Sequence, residues 1–380
     1  MTDRCIPRES RIYHSSSLRK SCDSVIDSIL LRYHHNEEEE SAAATMSRNV
    51  CVTAAEGYTG FLIAELLLTD ENFQKEIGTV TGLAMNTSHD HCKDLQDLGA
   101  TIVEHKPGKL KEIVKTLQDT KADTLCLVPS AHKEKIQTTT ELINAAKQAG
   151  IPNVLFISSA GCDLAEREKQ PRLREFIDLE TLFMASKGDP GTATGHSPVI
   201  IRAGFYAENL LLYAPQAQKE GKLPIPIGKN HKFAPVALGD VALLAAHVLC
   251  GKGKHGFSDK HRGQLMIMTG PMLTAGDELA AAASKALGSD LKFEDISEEQ
   301  AKKVLHAQSD SDEAEIQYLL EYYSLVREGK TNYISTTAFH DVTGDHPQEP
   351  PDFFKVYAEE FLPRAQGKAP ARKKRKVDGK

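Results

Sequence analysis

No stretch of this 380-residue sequence approaches the roughly 18 consecutive apolar residues that a membrane helix needs, so a helical span is excluded. There is no Cys-x-x-Cys pair either. The seven cysteines, at positions 5, 22, 51, 92, 126, 162 and 250, are scattered. An odd count without ligand spacing argues against a disulfide framework and a structural zinc site, and for a reducing compartment. The Gly-x-Ser-x-Gly pattern of a hydrolase elbow is missing. Arginine is absent between Arg48 and Arg167. A net excess of positive charge is confined to one end. Residues 364–380 carry eight Lys/Arg against one acid, a balance of +7, so the rest of a chain whose total is −7 stands at −14. Such a body has no general affinity for nucleic acid, and no direct nucleic-acid contact is expected of it.

What is present is the profile of an ordinary globular chain, 40% hydrophobic and 26% charged, long enough for one large α/β domain or two modest ones. Residues 1–45 read as a disordered extension. Val25, Ile26, Ile29 and Leu30 give one or two weak amphipathic turns, and His34 and His35 precede the acidic run Glu37–Glu40, a solvated stretch rather than a metal site. Asp3, Glu9, Asp23 and Asp27 have the wrong charge for a mitochondrial presequence. Met46 stands directly before the first convincing strand, so the folded unit is expected over 46–363, with a basic disordered tail beyond.

From Asn49 strand and helix patterns alternate. Strands are expected at 49–53, 79–85, 101–104, 124–128 and 153–158, with helices at 58–68, before Leu98-Gly99, at 109–117 and at 133–149. Strands that are apolar throughout, joined by short helices, imply a doubly wound, Rossmann-like parallel sheet covered on both faces. After Ser197 the order is less regular: strands at 199–202 and 265–269, helices at 237–249, 275–287, 298–305 and 313–328. The division expected is 46–200 for the nucleotide half and 200–363 for a smaller C-terminal α/β subdomain closing over the carboxyl edge of the sheet. Asp240 reads as an N-cap.

The first strand runs into Thr53-Ala54-Ala55-Glu56-Gly57-Tyr58-Thr59-Gly60. Gly57 and Gly60 have the spacing of the last two glycines of a dinucleotide turn, where the backbone approaches a pyrophosphate and a helix N-terminus points N–H groups at it. Ala54 stands where the first glycine belongs and allows the turn only if its φ stays negative. Glu56 beside the phosphates is unfavourable. The same pattern also serves a strand–helix turn that binds nothing.

The stretches VCVTAAEGYTG (50–60), VLFISSAG (154–161), VIIRAGFYAENL (199–210), PVALGDVALLAAHVL (235–249), MIMTGPMLTAGDELAAAASKALG (266–288) and FHDVTGDHPQEPPDFF (339–354) resemble the NmrA-like family. These are atypical members of the short-chain dehydrogenase/reductase superfamily, and the resemblance covers roughly 47–362. It implies an NAD- or NADP-binding Rossmann domain and a C-terminal subdomain that together form a cleft. On that resemblance the pyrophosphate lies on Thr53, Ala55, Glu56, Gly57, Tyr58, Thr59 and Gly60, and Asn86 falls in the region that reads the adenosine ribose. Pro129 and Ser130 border a ribose. Ser158, Ser159, Phe205 and Tyr206 line the nicotinamide side, although Phe205 and Tyr206 would equally suit plain core packing.

Reduction in this superfamily uses a Tyr whose acidity is raised by a Lys four residues later. None of the ten tyrosines here has that Lys. Some reductase relatives keep a Lys alone in a helix ahead of an Ile/Val-Glu pair; here that helix spans 172–182, the pair is Leu179-Glu180, and the Lys is missing. No catalytic residue is therefore assigned. The expectation is an NAD(P)-binding regulator or redox sensor that controls a transcription factor through protein contact. The alternative is an NAD(P)H-dependent reductase of a small carbonyl or quinone with another proton donor, such as Ser159 or Tyr206. The string Pro370 to Val377, with five consecutive basic residues at 372–376, resembles a nuclear import signal read by an import receptor, implying nucleus and cytoplasm.

Overall fold

Val50 and Val52 point to one face of a sheet and Cys51 to the other, and all three are buried. The same division holds for Cys126 against Leu125 and Leu127, and for Leu155 and Ile157 against Val154 and Phe156. Apolar side chains on both faces require a cover on both faces, and that requirement builds the fold. The computed structural model describes residues 47–185, 198–253, 256–309, 311–332 and 336–363. The expectations for 1–45 and for the tail, including the 370–377 string, lie outside these residues.

The chain runs β1 (Arg48–Thr53), α1 (Tyr58–Thr69), α2 (Glu71–Gln74), β2 (Ile77–Ala84), α3 (Asp90–Asp97), β3 (Thr101–Glu104), α4 (Leu110–Asp119), β4 (Thr124–Leu127), α5 (Lys135–Ala149), β5 (Asn153–Ser159), α6 (Pro171–Ala185) and β6 (Val199–Ala203). It continues through a 3-10 segment (Ala207–Tyr213), α7 (Ala214–Glu220), β7 (Lys222–Ile225), α8 (Leu238–Cys250), β8 (Leu265–Met268), α9 (Gly276–Leu287) and β9 (Lys292–Asp295). The C-terminal helices are α10 (Glu298–Gln308), α11 (Glu313–Arg327), α12 (Ala338–Thr343), α13 (Pro350–Val356) and α14 (Ala358–Phe361).

The main sheet has the order β3-β2-β1-β4-β5-β6-β8, and every pairing is parallel. Windings leave β1 in opposite directions, so the switch point lies between the carboxyl ends of β1 and β4, where open α/β sheets bind ligands. Helices α1 and α8 cover one face; α4, α5 and α6 cover the other. A local signal ends α5: Gly150 adopts φ 72° behind it, and the Ile151 N–H returns to the Ala146 carbonyl.

The C-terminal half is interleaved with the sheet, because β6 and β8 complete it. A separate parallel pair, β7 with β9, packs with α9 beside it. Asp240 differs from the expectation. The N-cap of α8 is Ala237, and Asp240 lies inside the first turn, its carboxylate accepting the Gln348 N–H at 2.6 Å. The free Leu238 N–H is taken instead by Glu208 Oε2 at 3.0 Å. A carboxylate from the 3-10 segment thus caps α8 from outside.

Candidate functional site

The turn after β1 is fixed from three sides. Thr53 Oγ1 accepts the Val128 N–H at 2.8 Å and donates to the Val128 carbonyl at 3.0 Å, tying β1 to the end of β4. The Ala55 N–H donates to the Leu83 carbonyl, tying the loop to β2, and the Gly57 N–H closes the turn on the Ala54 carbonyl at 3.0 Å. A Cβ on Gly60 would stand 2.4 Å from the Ala54 oxygen and 2.8 Å from the Thr53 oxygen, so only glycine lets α1 start this close to the strand. Gly57 is the N-cap of α1 and brings no side chain to its first turn, which also holds no acid. The first-turn N–H groups are therefore left without a capping side chain or a first-turn acid to compete for them, and the turn fits a pyrophosphate.

Two expectations about this turn are corrected. Ala54 does not keep a negative φ; it sits at +50° and adopts the left-handed conformation that glycine would supply, at a cost of about 1 kcal/mol. The Glu56 carboxylate does not lie against the phosphate position. Its Oε1 accepts the Met85 N–H at 2.8 Å, so it is drawn to the end of β2. Asn86 follows there. Its side-chain oxygen accepts the N–H and hydroxyl of Ser88, which closes a local turn. Tyr58 is 39% exposed, with its ring edge-on to His91 at 5.0 Å, while His91 stacks on Phe61 at 4.3 Å.

Across the switch point, Pro129 and Ser130 follow β4. The Ser130 hydroxyl is buried with no hydrogen-bond partner, an acceptor and donor left for a ligand. The two serines ending β5 point apart. Ser158 donates to Glu180 Oε1 at 2.6 Å, and that carboxylate receives Arg202 through Nε at 2.8 Å and a terminal nitrogen at 2.7 Å. The Arg of the 199–210 stretch and the Glu of the Leu179-Glu180 pair are thus one buried ion pair that locks β6 to α6. Phe205 packs into the core against Phe233, Tyr322 and Tyr323. The Tyr206 hydroxyl meets Thr59 at 3.4 Å, and burial raises its pKa to about 12. Arg172 and Arg174 are spent on loop carbonyls, those of His132 and Asp163 among them.

Ser159 meets a residue that sequence reasoning missed. Its hydroxyl lies 2.8 Å from that of Tyr318 on α11. Burial pushes the Tyr318 phenol above its ordinary pKa, so it stays protonated near neutrality. Lys135, the first residue of α5, is 2% exposed; its ammonium lies 5.7 Å from the Tyr318 ring centroid, 4.2 Å from that of Phe176 and 3.0 Å from Glu175. Burial brings the Lys135 pKa down to about 8. A tyrosine, a lysine and a serine are therefore assembled from three distant elements, and no four-residue spacing could have revealed them. Among the described residues no group of His, Cys, Asp and Glu could hold a metal ion, and no helix is long and apolar enough to cross a membrane.

Comparison with known proteins agrees with this architecture. The NAD(P)H azoreductase of Xenophilus azovorans is 27% identical over 212 residues, 55% of this chain and 68% of that protein. Quinone oxidoreductase 2 of Escherichia coli (strain K12) is 24% identical over 250 residues, 66% of this chain and 78% of that protein. Among solved structures, the NADPH complex of the Escherichia coli NADPH-dependent quinone oxidoreductase superposes with a TM-score of 0.64 at 20% identity, covering 80% of this chain and 98% of that one. The NADP(H) complex of the Citrobacter sp. triphenylmethane reductase gives 0.66 at 17% identity, covering 82% and 100%. The model of the NmrA-like family matches residues 46–343, and the chain, with its seven-stranded Rossmann-like sheet, belongs to that family.

Proposed function

We propose that the protein is an NAD(P)H-dependent reductase of a quinone or similarly conjugated acceptor. The observation that carries this reading is the Ser159–Tyr318 contact of 2.8 Å at the carboxyl end of β5, on the same edge of the sheet as the glycine turn that follows β1. Thr53, Gly57 and the start of α1 would hold the pyrophosphate, and Ser130 and Ser159 would border the ribose and nicotinamide. A bound nicotinamide supplies hydride. Tyr318, a protonated phenol, donates a proton to the acceptor oxygen, with Ser159 fixing the direction of its hydroxyl. Lys135 below the ring favours the phenolate left behind, and Glu175 holds that ammonium in place. Quinones suit this arrangement because the reduced oxygen needs only a weak acid. The azoreductase and quinone oxidoreductase names of the relatives support the same class.

The test is oxidation of NADH and NADPH followed optically with a panel of quinone and azo acceptors. Turnover is expected, and Tyr318→Phe should lower kcat about 100-fold while leaving dinucleotide affinity within twofold. Tight dinucleotide binding with no turnover on any acceptor overturns the reading. It would favour the second one, a dinucleotide-responsive regulator that contacts a transcription factor. The missing Tyr/Lys spacing and the basic string at 372–376, with its import-receptor chemistry, support that alternative.

A further inference from the structure

We propose that Glu56 selects the unphosphorylated adenosine ribose, so that this chain takes NAD(H) in preference to NADP(H). The inference rests on the dinucleotide reading of the turn. In open α/β sheets the adenosine ribose lies beyond the carboxyl end of the second strand, where a carboxylate accepts its hydroxyls or an arginine accepts a 2′-phosphate. Here no arginine exists from position 49 to position 166. The carboxylate is present, but it comes from the first loop rather than from β2. Glu56 Oε1 is fixed by the Met85 N–H at 2.8 Å, and the Glu56 peptide oxygen lies 2.8 Å from His91 Nδ1, so loop and side chain are held together at that strand end.

The second oxygen, Oε2, is buried and has no hydrogen-bond partner. A ribose hydroxyl is a donor and can satisfy it; a phosphate ionised near neutrality has little proton to give and adds like charge beside the carboxylate. The neighbouring groups do not offset that charge. Lys93 is exposed and paired with Asp90 at 2.9 Å. His105 is buried 3.8 Å from Glu141, and burial lowers its pKa, which leaves it neutral near pH 7. The Asn86 side-chain oxygen is already occupied by Ser88. Selection therefore works through both an attractive and a repulsive element, each from one side chain.

The experiment is calorimetric titration of the full chain with NADH and NADPH, and with the fragments 5′-AMP and adenosine 2′,5′-bisphosphate. The wild type should bind the member of each pair without the 2′-phosphate at least tenfold more tightly. Glu56→Gln keeps a carbonyl for the Met85 N–H and removes the charge. It should cut that preference to threefold or less, mainly by tightening NADPH, with a thermal melt showing the variant folded. Equal wild-type binding of NADH and NADPH, or an unchanged preference in Glu56→Gln, overturns the selector while leaving the dinucleotide site intact. Binding of neither dinucleotide overturns both. Equal binding of 5′-AMP and adenosine 2′,5′-bisphosphate by the wild type overturns the selector even if the variant fails to fold.

Discussion

Glu180 and Arg202 are 6% and 8% exposed, so disrupting their ion pair strands a charge away from water. Glu180→Gln keeps the side-chain volume but removes the charge that receives two Arg202 N–H groups and the Ser158 hydroxyl. The guanidinium then stays buried with one remaining carboxylate, Asp163 at 3.2 Å, whose side chain is 46% exposed and only partly compensates. Breaking a buried pair in this way costs about 3–5 kcal/mol, and Asp163 places the value near the lower end, about 3 kcal/mol. Urea unfolding followed by circular dichroism measures it: the midpoint should fall with the slope unchanged. Replacing both partners, Glu180→Met with Arg202→Met, removes the stranded charge and should recover more than half of the loss. A single variant that loses less than about 1 kcal/mol, or a double variant as unstable as the sum of its parts, would show that the two side chains are not coupled as a buried pair.

Ala54→Gly removes the positive-φ cost and should stabilise the protein by about 1 kcal/mol without loss of dinucleotide binding; a lower melting temperature would show that Ala54 is not strained. Gly60→Ala drives a methyl into the Ala54 and Thr53 carbonyls and should abolish dinucleotide binding in calorimetry. Burial raises the Glu208 carboxyl to about 7 from its ordinary 4.5. The folded state therefore holds that proton more tightly, and its stability contribution, complete below pH 4.5, is lost as pH rises to about 7, amounting to at most about 3 kcal/mol. Glu208→Gln should flatten the stability profile across that window, and identical wild-type and variant slopes would exclude this carboxyl as the source. Deleting Arg372–Lys376 should abolish nuclear accumulation of a fluorescent fusion while leaving the melting temperature unchanged, and equal nuclear signal in both forms would remove the import reading.

The sheet and its winding are legible in the order of residues alone. Runs such as Val50–Val52 and Leu125–Leu127 are apolar on both faces, Gly150 ends its helix through a positive φ, and the spacing of Gly57 and Gly60 marks the turn; all of these are local effects that act over a few residues. The pair β7 and β9 was not legible, because Lys222–Ile225 carries Pro224 and Lys292–Asp295 is mostly charged, and neither pattern favours a strand until the other is beside it. The chemistry was decided at still longer range. Glu56 reaches to the end of β2 because the Met85 N–H offers it a partner. Glu180 and Arg202 stand out separately in the sequence, but only packing made them a pair. Tyr318 lies 159 residues from Ser159 and reaches it only once α11 closes over the end of β5. Local periodicity fixes which residues form each element. The partner of a buried polar group is chosen by whichever distant element desolvates it, and that is settled only when the tertiary structure forms.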